Sequence, residues 1–553
     1  MRLIHSQTLQ LHEFEHSSSS VPPYAILSHT WGDDEVTFRD MSSVPMHRLA
    51  HRKGFTKIIG TCRLAREHNL EYVWIDTCCI DKSSSAELSE SINSMFKWYE
   101  KAAVCYVFLS DLILGETKLS DCRWWSRGWT LQELLAPENL TFYDATWKPA
   151  GTKMALLSQI SKITGIEEGV LWDKGQILLH SVSQRMAWAA SRRTTRLEDE
   201  AYCLLGIFGI HLPLLYGEGR MAFRRLQEEI MKRNADLTIF FWDTPENHIE
   251  EQQCMNLFAE SPSAFGIFQP IRPLPSGFPE FFTTNKGVCF SGTLYMSQVK
   301  IPTTNYFLYG FFLGRNWDNA PKGPIFLRKI GPGIFCRTQD PPIEEEYLVT
   351  LRTTDQNFYI IADPGSDVEA SMVKFRHHAF HIPDELQFRH NTSQLLSQVQ
   401  VQRAVPRHLW DATDQIFLRA PESAFAWEHQ PFEYPVILAL DITAQIMSNH
   451  VQLIVLSEGK GCFSVNNLKL FDAQKYPGEV ELLFGRENQE KSILQSDFRK
   501  FMPNIASLSN CAEVLLQPGN KKALISVSTQ PGTLKIMSRE VAVSDFVFDL
   551  VIV

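Results

Sequence analysis

Over roughly the first 150 residues, wholly apolar runs alternate with amphipathic stretches. Tyr24-Ala25-Ile26-Leu27-Ser28 reads as a buried strand that stops at the polar loop His29-Thr30-Trp31-Gly32-Asp33-Asp34. After Gly54, the residues Phe55, Ile58, Ile59, Cys62 and Ala65 mark one face of a helix. Tyr72 to Asp76 is a second strand and runs into Thr77-Cys78-Cys79-Ile80-Asp81-Lys82. Ser84 followed by Glu87 predicts a capping box, and Leu88, Ile92, Met95, Phe96 and Tyr99 give the helix it starts. Ala103 to Leu109 is a third strand closed by Ser110-Asp111, Trp129 to Leu135 a short helix stopped by Pro137, and Leu140 to Tyr143 a fourth strand. Apolar strands separated by helices predict a parallel sheet with flanking helices on both faces. Ligands of such sheets bind beyond the carboxyl ends of the strands, here Ser28–Asp34, Asp76–Lys82 and Ser110–Asp111.

From about Lys153 to Asn234 the pattern is helical. Thr195 and Glu198 predict a second capping box, ahead of Ala201, Leu204, Leu205 and Phe208. Gly217-Glu218-Gly219 lacks a third glycine and a preceding strand, so it reads as a turn before a helix rather than a phosphate loop. Beyond Asp236 the character changes. Thr238 to Trp242 opens a region of short apolar or alternating runs with turns rich in Gly, Pro and Asp, continuing to Phe546–Val553. This predicts a β-sandwich or a related all-β module. The chain divides into a parallel α/β domain over 1–150, a helical extension over 151–245 and a β-rich region over 246–553.

Composition narrows the class. The 553 residues are 44% hydrophobic and 21% charged, as in ordinary globular proteins, and the net charge of −10 disfavours a nucleic-acid binder. The start lacks the apolar core of a signal peptide, and no stretch reaches the roughly 18 apolar residues of a membrane span. The 11 cysteines, an odd number with no CxxC pair, predict reduced thiols and a cytoplasmic location.

Several residues can carry chemistry. Asp76 and Asp81 flank a strand end, and Asp33, Asp34 and Glu35 cluster in the first loop; they can bind a ligand or cap helices. Glu133 has Trp124, Trp125, Arg127 and Trp129 close in sequence. A carboxyl beside indoles is desolvated and suits acid or base work, whereas the structural alternative is an ion pair with Arg127 in a tryptophan-filled core. His377, His378 and His381 include an i, i+4 pair among strand-like segments with no third ligand, so no metal site is expected there. Cys78-Cys79 has no adjacent base to make a thiolate.

These residues resemble a family. Tyr24 to Gly32, Val73 to Lys82 running on through Tyr99, and Arg127-Gly128-Trp129-Thr130-Leu131-Gln132-Glu133 are similar to three ordered blocks of the fungal HET (heterokaryon incompatibility) domain. Arg196 to Asp236 resembles the region that follows in many such proteins. The resemblance implies an effector of programmed cell death in non-self recognition or fungal innate immunity. More remotely, the order of elements resembles TIR domains, and Trp129 to Leu134 is similar to the plant TIR segment whose glutamate is needed to cleave NAD. That resemblance implies a catalytic Glu133, with NAD as a substrate and no resident cofactor or metal. Trp31 or Trp129 would stack on a ring, and Ser28, His29 and Asp81, with Gly32, Asp76 and Arg127, would bind the rest. The first loop, Trp31-Gly32-Asp33-Asp34, departs from the TIR pattern. Two functions follow from the resemblance: an NAD-cleaving, self-associating effector, or a non-enzymatic signalling module that binds other copies or an upstream sensor. A ligand-sensing role for the β-rich region is a third.

Overall fold

The computed structural model describes residues 1–15, 21–243, 254–266, 271–273, 280–301, 304–315, 321–338 and 348–364. From 378 to 552 it describes a series of strands and the turn at 410–414. The chain forms two compact units. The first is Met1–Pro245 with Phe258–Phe278 and Leu313–Gly323, and the second is the remainder.

The first unit is built on a sheet of seven strands: β1 (Arg2–His5), β2 (Leu11–Glu13), β3 (Tyr24–His29), β4 (Tyr72–Trp74), β5 (Val104–Phe108), β6 (Leu140–Tyr143) and β7 (Pro149–Thr152). Their order is β2-β1-β4-β3-β5-β6-β7. The expected strands form the parallel centre, β4-β3-β5-β6, and all six residues of β3 are buried. The edges differ from expectation, because β1, β2 and β7 add antiparallel pairs and make the sheet mixed. These strands are three or four residues long and only partly buried, so they carry little periodic signal.

The connections are α1 (Phe38–Ser43), α2 (Met46–Leu49) and α3 (Lys53–Glu67) after β3, then α4 (Asp76–Cys79) and α5 (Ser85–Lys101) after β4. Two 3₁₀ turns, Leu119–Asp121 and Arg123–Ser126, and α6 (Thr130–Leu135) follow β5. Along α3 the core takes Phe55, Ile58, Cys62 and Ala65 as the spacing predicts, while Ile59 is exposed. Ser84 caps α5 by accepting from the Glu87 amide, but the Glu87 carboxylate turns to the Asp81 amide and to Arg2, leaving the predicted box half made.

The same unit holds α7 (Leu157–Thr164), α8 (Glu168–Trp172), α9 (Val182–Ala187), α10 (Asp199–Tyr202), α11 (Leu205–Phe208) and α12 (Met221–Met231). The box expected at Thr195 and Glu198 does not form. Glu198 instead accepts from the amides of Gly217 and Gly219 at 2.7 and 3.1 Å and ties the turn before α12 to α10. Both glycines have positive φ, 107° and 59°, which suits residues without a Cβ. Leu237–Phe240 is a 3₁₀ turn, not the start of the β region. Asp236 starts it by accepting from the Thr238 amide and also accepts from Val182 at 2.7 Å, fixing the segment among helices.

The second unit is β-rich, as expected. Its first sheet is not a sandwich: Gly287–Ile301, 15 residues long, pairs with Leu348–Ile360 on one side and with Thr304–Arg315 on the other, closing a barrel. A register shift between Met296 and Ser297 gives the long strand the bend that closure needs. Smaller antiparallel sheets follow. His377 lies outside the described residues, and His378–His381 is a strand. Among the described residues no group of three or more His, Cys, Asp or Glu could hold a metal ion, and no helix is long and apolar enough to cross a membrane.

Candidate functional site

The strand order fixes where a site can lie. The chain passes from β3 to β4 on one side, then crosses to β5 on the other, so connections diverge at the carboxyl end of β3. That divergence opens a crevice at the strand ends. Ser28 and His29 are the last residues of β3, and both are buried.

Ser28 joins the strand to α6. Its hydroxyl accepts from the Trp124 indole at 2.8 Å and donates to Oε2 of Glu133. Glu133 is only 8% exposed, on a helix whose six residues are all buried. Burial pushes its carboxyl up to about 8, and the nearby Asp76 charge adds to this; the hydrogen bonds from Ser28 and Tyr99 and the charge of Arg127 act the other way. Burial thus favours the neutral acid in the resting site. The carboxyl expected to be desolvated by indoles is so, but Trp124 reaches it through Ser28. Trp129 is turned to Asp199, with which it makes a hydrogen bond.

His29 begins a second, ionic strip. Its Nε2 meets Asp76 Oδ1 at 3.0 Å and its Nδ1 meets Lys57 Nζ at 3.0 Å. An ammonium only donates, so Nδ1 accepts and the Nε2 proton goes to Asp76. The Trp31 indole donates to the other oxygen of Asp76 at 2.8 Å, and Lys82 Nζ stands 3.3 Å above the Trp31 ring. Burial alone would raise the Asp76 carboxyl; the His29 hydrogen bond, the Lys82 charge and Trp31 hold it far below the ordinary range. Glu35 completes the strip, pairing with Lys57 and accepting from the Gly32 amide at 2.8 Å. Trp31 remains 43% exposed, with Lys82 over one face of its ring.

Other expected residues stand apart. Asp81 accepts from the amide and hydroxyl of Ser83 at 2.9 and 2.6 Å, a turn contact that also lowers its pKa. Asp34 accepts from the Lys53 amide at the start of α3, and Asp111 is taken by Arg123. Cys78 is buried and donates to the Val36 carbonyl; its thiol is pushed up to about 12 by burial, opposite to what a nucleophile needs. Among the described residues every cysteine is free.

Three cations escaped the sequence reading. Lys57 lies on the buried stripe of α3, and a lysine inside an apolar stripe is the signal that could have found it. Arg192 is buried, with its guanidinium pushed down to about 10 by burial, and donates to the Arg127 carbonyl and Thr130 Oγ1 at the start of α6. Lys153, also buried, donates to the carbonyls of Leu134 and Pro137 at the helix end. No periodicity marks Arg192 or Lys153. Together they fasten both ends of the helix that carries Glu133. Gly128 brings the same loop against 193–194, where a Cβ would stand 2.5 Å from Thr194 Cγ2.

Fold and site thus define an α/β domain with a buried carboxyl and an ionic, tryptophan-faced strip at the divergence of its sheet. Residues 24–116 match the family described as heterokaryon incompatibility protein (HET), and residues 221–275 match a domain of unknown function (DUF8212). The vegetative incompatibility protein HET-E-1 of Podospora anserina is 44% identical over 239 residues, which cover 40% of this chain and 17% of that protein. Over its N-terminal part the chain is thus similar to fungal heterokaryon incompatibility proteins, and it spans under a fifth of the length of the relative it matches. No solved structure matches it. Ser28, His29, Trp31 and Asp76 lie inside the family match, whereas Glu133 and the residues that fasten its helix lie beyond it.

Proposed function

We propose that the chain is an effector of heterokaryon incompatibility, killing the cell on non-self recognition, and that its N-terminal unit hydrolyses NAD at the nicotinamide–ribose bond. The observation that carries the chemistry is Glu133: a buried carboxyl bonded to Ser28 at the switch point of the sheet, with its pKa pushed up to about 8. The likeness to the incompatibility protein supports the biological role.

The cleaved bond is the C1′–N bond. Its electron pair leaves with nicotinamide, water adds to C1′, and one proton is released, giving ADP-ribose. An oxocarbenium-like ribosyl centre develops, as in glycoside hydrolysis. Nicotinamide leaves as a neutral ring, so no acid is needed. The task of the protein is to hold the ribose and face its positive charge. A cationic pyridinium arriving beside Glu133 favours the carboxylate over the acid. Glu133 then accepts from the ribose hydroxyls, and Trp31 offers a face to the ring. Asp76, fixed by His29 and Trp31, keeps a permanent negative charge nearby.

Purified full-length protein, incubated with NAD at high concentration or with a crowding agent, is expected to release nicotinamide. Glu133→Ala abolishes the release while circular dichroism stays unchanged. Wild-type protein that self-associates yet leaves NAD intact would establish the other role, a module that only binds further copies or an upstream sensor.

A further inference from the structure

We propose that Arg127 and Arg193 form an anion subsite beside Glu133 that takes the diphosphate of a dinucleotide. This rests on the NAD reading for the identity of the ligand, but not for the existence of the site. The two residues face each other in a short parallel bridge, made by the Gly128 amide to the Arg193 carbonyl at 2.9 Å and the Arg193 amide to the Ser126 carbonyl at 2.6 Å. Neighbouring extended segments lie about 4.8 Å apart, and partners across a bridge project to the same side. The two side chains therefore start from adjacent Cβ positions on one side, within reach of a common anion, and like charges so placed are destabilising without one.

Neither guanidinium makes an ion pair among the described residues. Their neighbours are committed elsewhere. Arg192 is spent on the carbonyls of Trp188 and Arg127 and on Thr130, Arg196 lies 4.4 Å over the Tyr216 ring, and Arg123 pairs with Asp111. Arg193 is exposed and Arg127 half-buried, so an anion can reach both. The Arg127 charge acts on the Glu133 carboxyl, which sets the pair next to the reacting end of a ligand. Guanidinium takes phosphate oxygens in bidentate fashion, and two adjacent forks match two linked phosphates better than one carboxylate. The subsite selects a diphosphate-bridged nucleotide over a nucleoside that has the same scissile bond and no phosphate.

The test uses the full-length chain and inorganic pyrophosphate in titration calorimetry. Wild type is expected to bind, more weakly as salt rises. Arg193→Gln is expected to bind at least about tenfold more weakly, the loss of one charge-assisted contact. Arg193→Lys recovers part of the affinity, because it restores the charge without the fork. The Arg193 backbone bonds are untouched, and thermal melts verify that each variant is folded. In turnover, the ratio of kcat/KM for NAD to that for nicotinamide riboside falls about tenfold in Arg193→Gln. Pyrophosphate that binds wild type and Arg193→Gln alike, or binds neither, overturns the subsite. Arginine-dependent pyrophosphate binding in a protein that cleaves neither NAD nor the riboside upholds the subsite while sinking the NAD reading.

Discussion

Replacing Glu133 with Gln is expected to stabilise the protein, by an amount that grows with pH. The folded carboxyl is raised from 4.5 to about 8. Between those two values the unfolded chain releases a proton that the folded chain keeps. Stability is therefore highest below pH 4.5 and is lost as pH rises towards 8. Each pH unit costs about 1.4 kcal/mol, so wild type forgoes about 3 kcal/mol by pH 7 and about 4 kcal/mol by pH 8. Gln is close in shape, stays neutral and still accepts from Ser28 Oγ, so the variant escapes this loss. Urea unfolding of both proteins from pH 4.5 to 8.5 measures the difference. It should start near zero, rise to pH 8 and then level off. A difference that does not vary with pH, or a variant less stable than wild type at pH 7, rules out a raised Glu133 carboxyl. Either result would mean that Glu133 is already ionised in the resting fold.

Three further expectations follow from the same geometry. Ser28→Ala removes the hydrogen bond that lowers the Glu133 carboxyl and leaves the Trp124 indole without its acceptor; it should cost about 1–3 kcal/mol in denaturant unfolding and raise the Glu133 titration seen by NMR. Gly128→Ala puts a Cβ 2.5 Å from Thr194 Cγ2 and 3.1 Å from Cys203 Sγ, so it should lower stability by about 1–3 kcal/mol and weaken pyrophosphate binding by splaying the Arg127–Arg193 bridge. The Asp76 carboxyl is held below its ordinary value, so its contribution is present above pH 3.8 and lost as pH falls below it. Thermal melts should show Asp76→Asn destabilised at pH 7, with the difference starting to shrink below pH 3.8 and most of it still present at pH 3.

The parts of the fold that the sequence shows are those with a long buried face. The central strands β3 to β6 read directly from apolar runs, and the helices α3 and α5 from helical spacing, because each buries a face of several residues. β1, β2 and β7 do not, since strands of three or four residues that are only partly buried carry too little period. Leu237–Phe240 shows the opposite failure. A short apolar run is compatible with a strand or a buried turn, and the Asp236 side chain decides between them. The barrel closure was hidden because the two partners of Gly287–Ile301 are both distant in sequence from each other. At the site, Glu133, Ser28, His29, Trp31 and Asp76 were legible as polar residues at strand ends or beside indoles. Arg192, Lys153 and Arg193 were not, because their roles arise only when the helical extension folds back onto the loop that carries Glu133. Asp81 shows the limit from the other side: a carboxylate at a strand end can be consumed by its own turn.

NAD cleavage by the Glu133 carboxylate is decided by the pH dependence of nicotinamide release from the purified 553-residue chain. If ionisation of Glu133 is required, kcat/KM for NAD rises with pH, bends near pH 8 and levels off, while Glu133→Gln, folded and more stable, releases no nicotinamide at any pH. Release by Glu133→Gln at the wild-type rate, or the absence of release from wild type across the whole range, would contradict it.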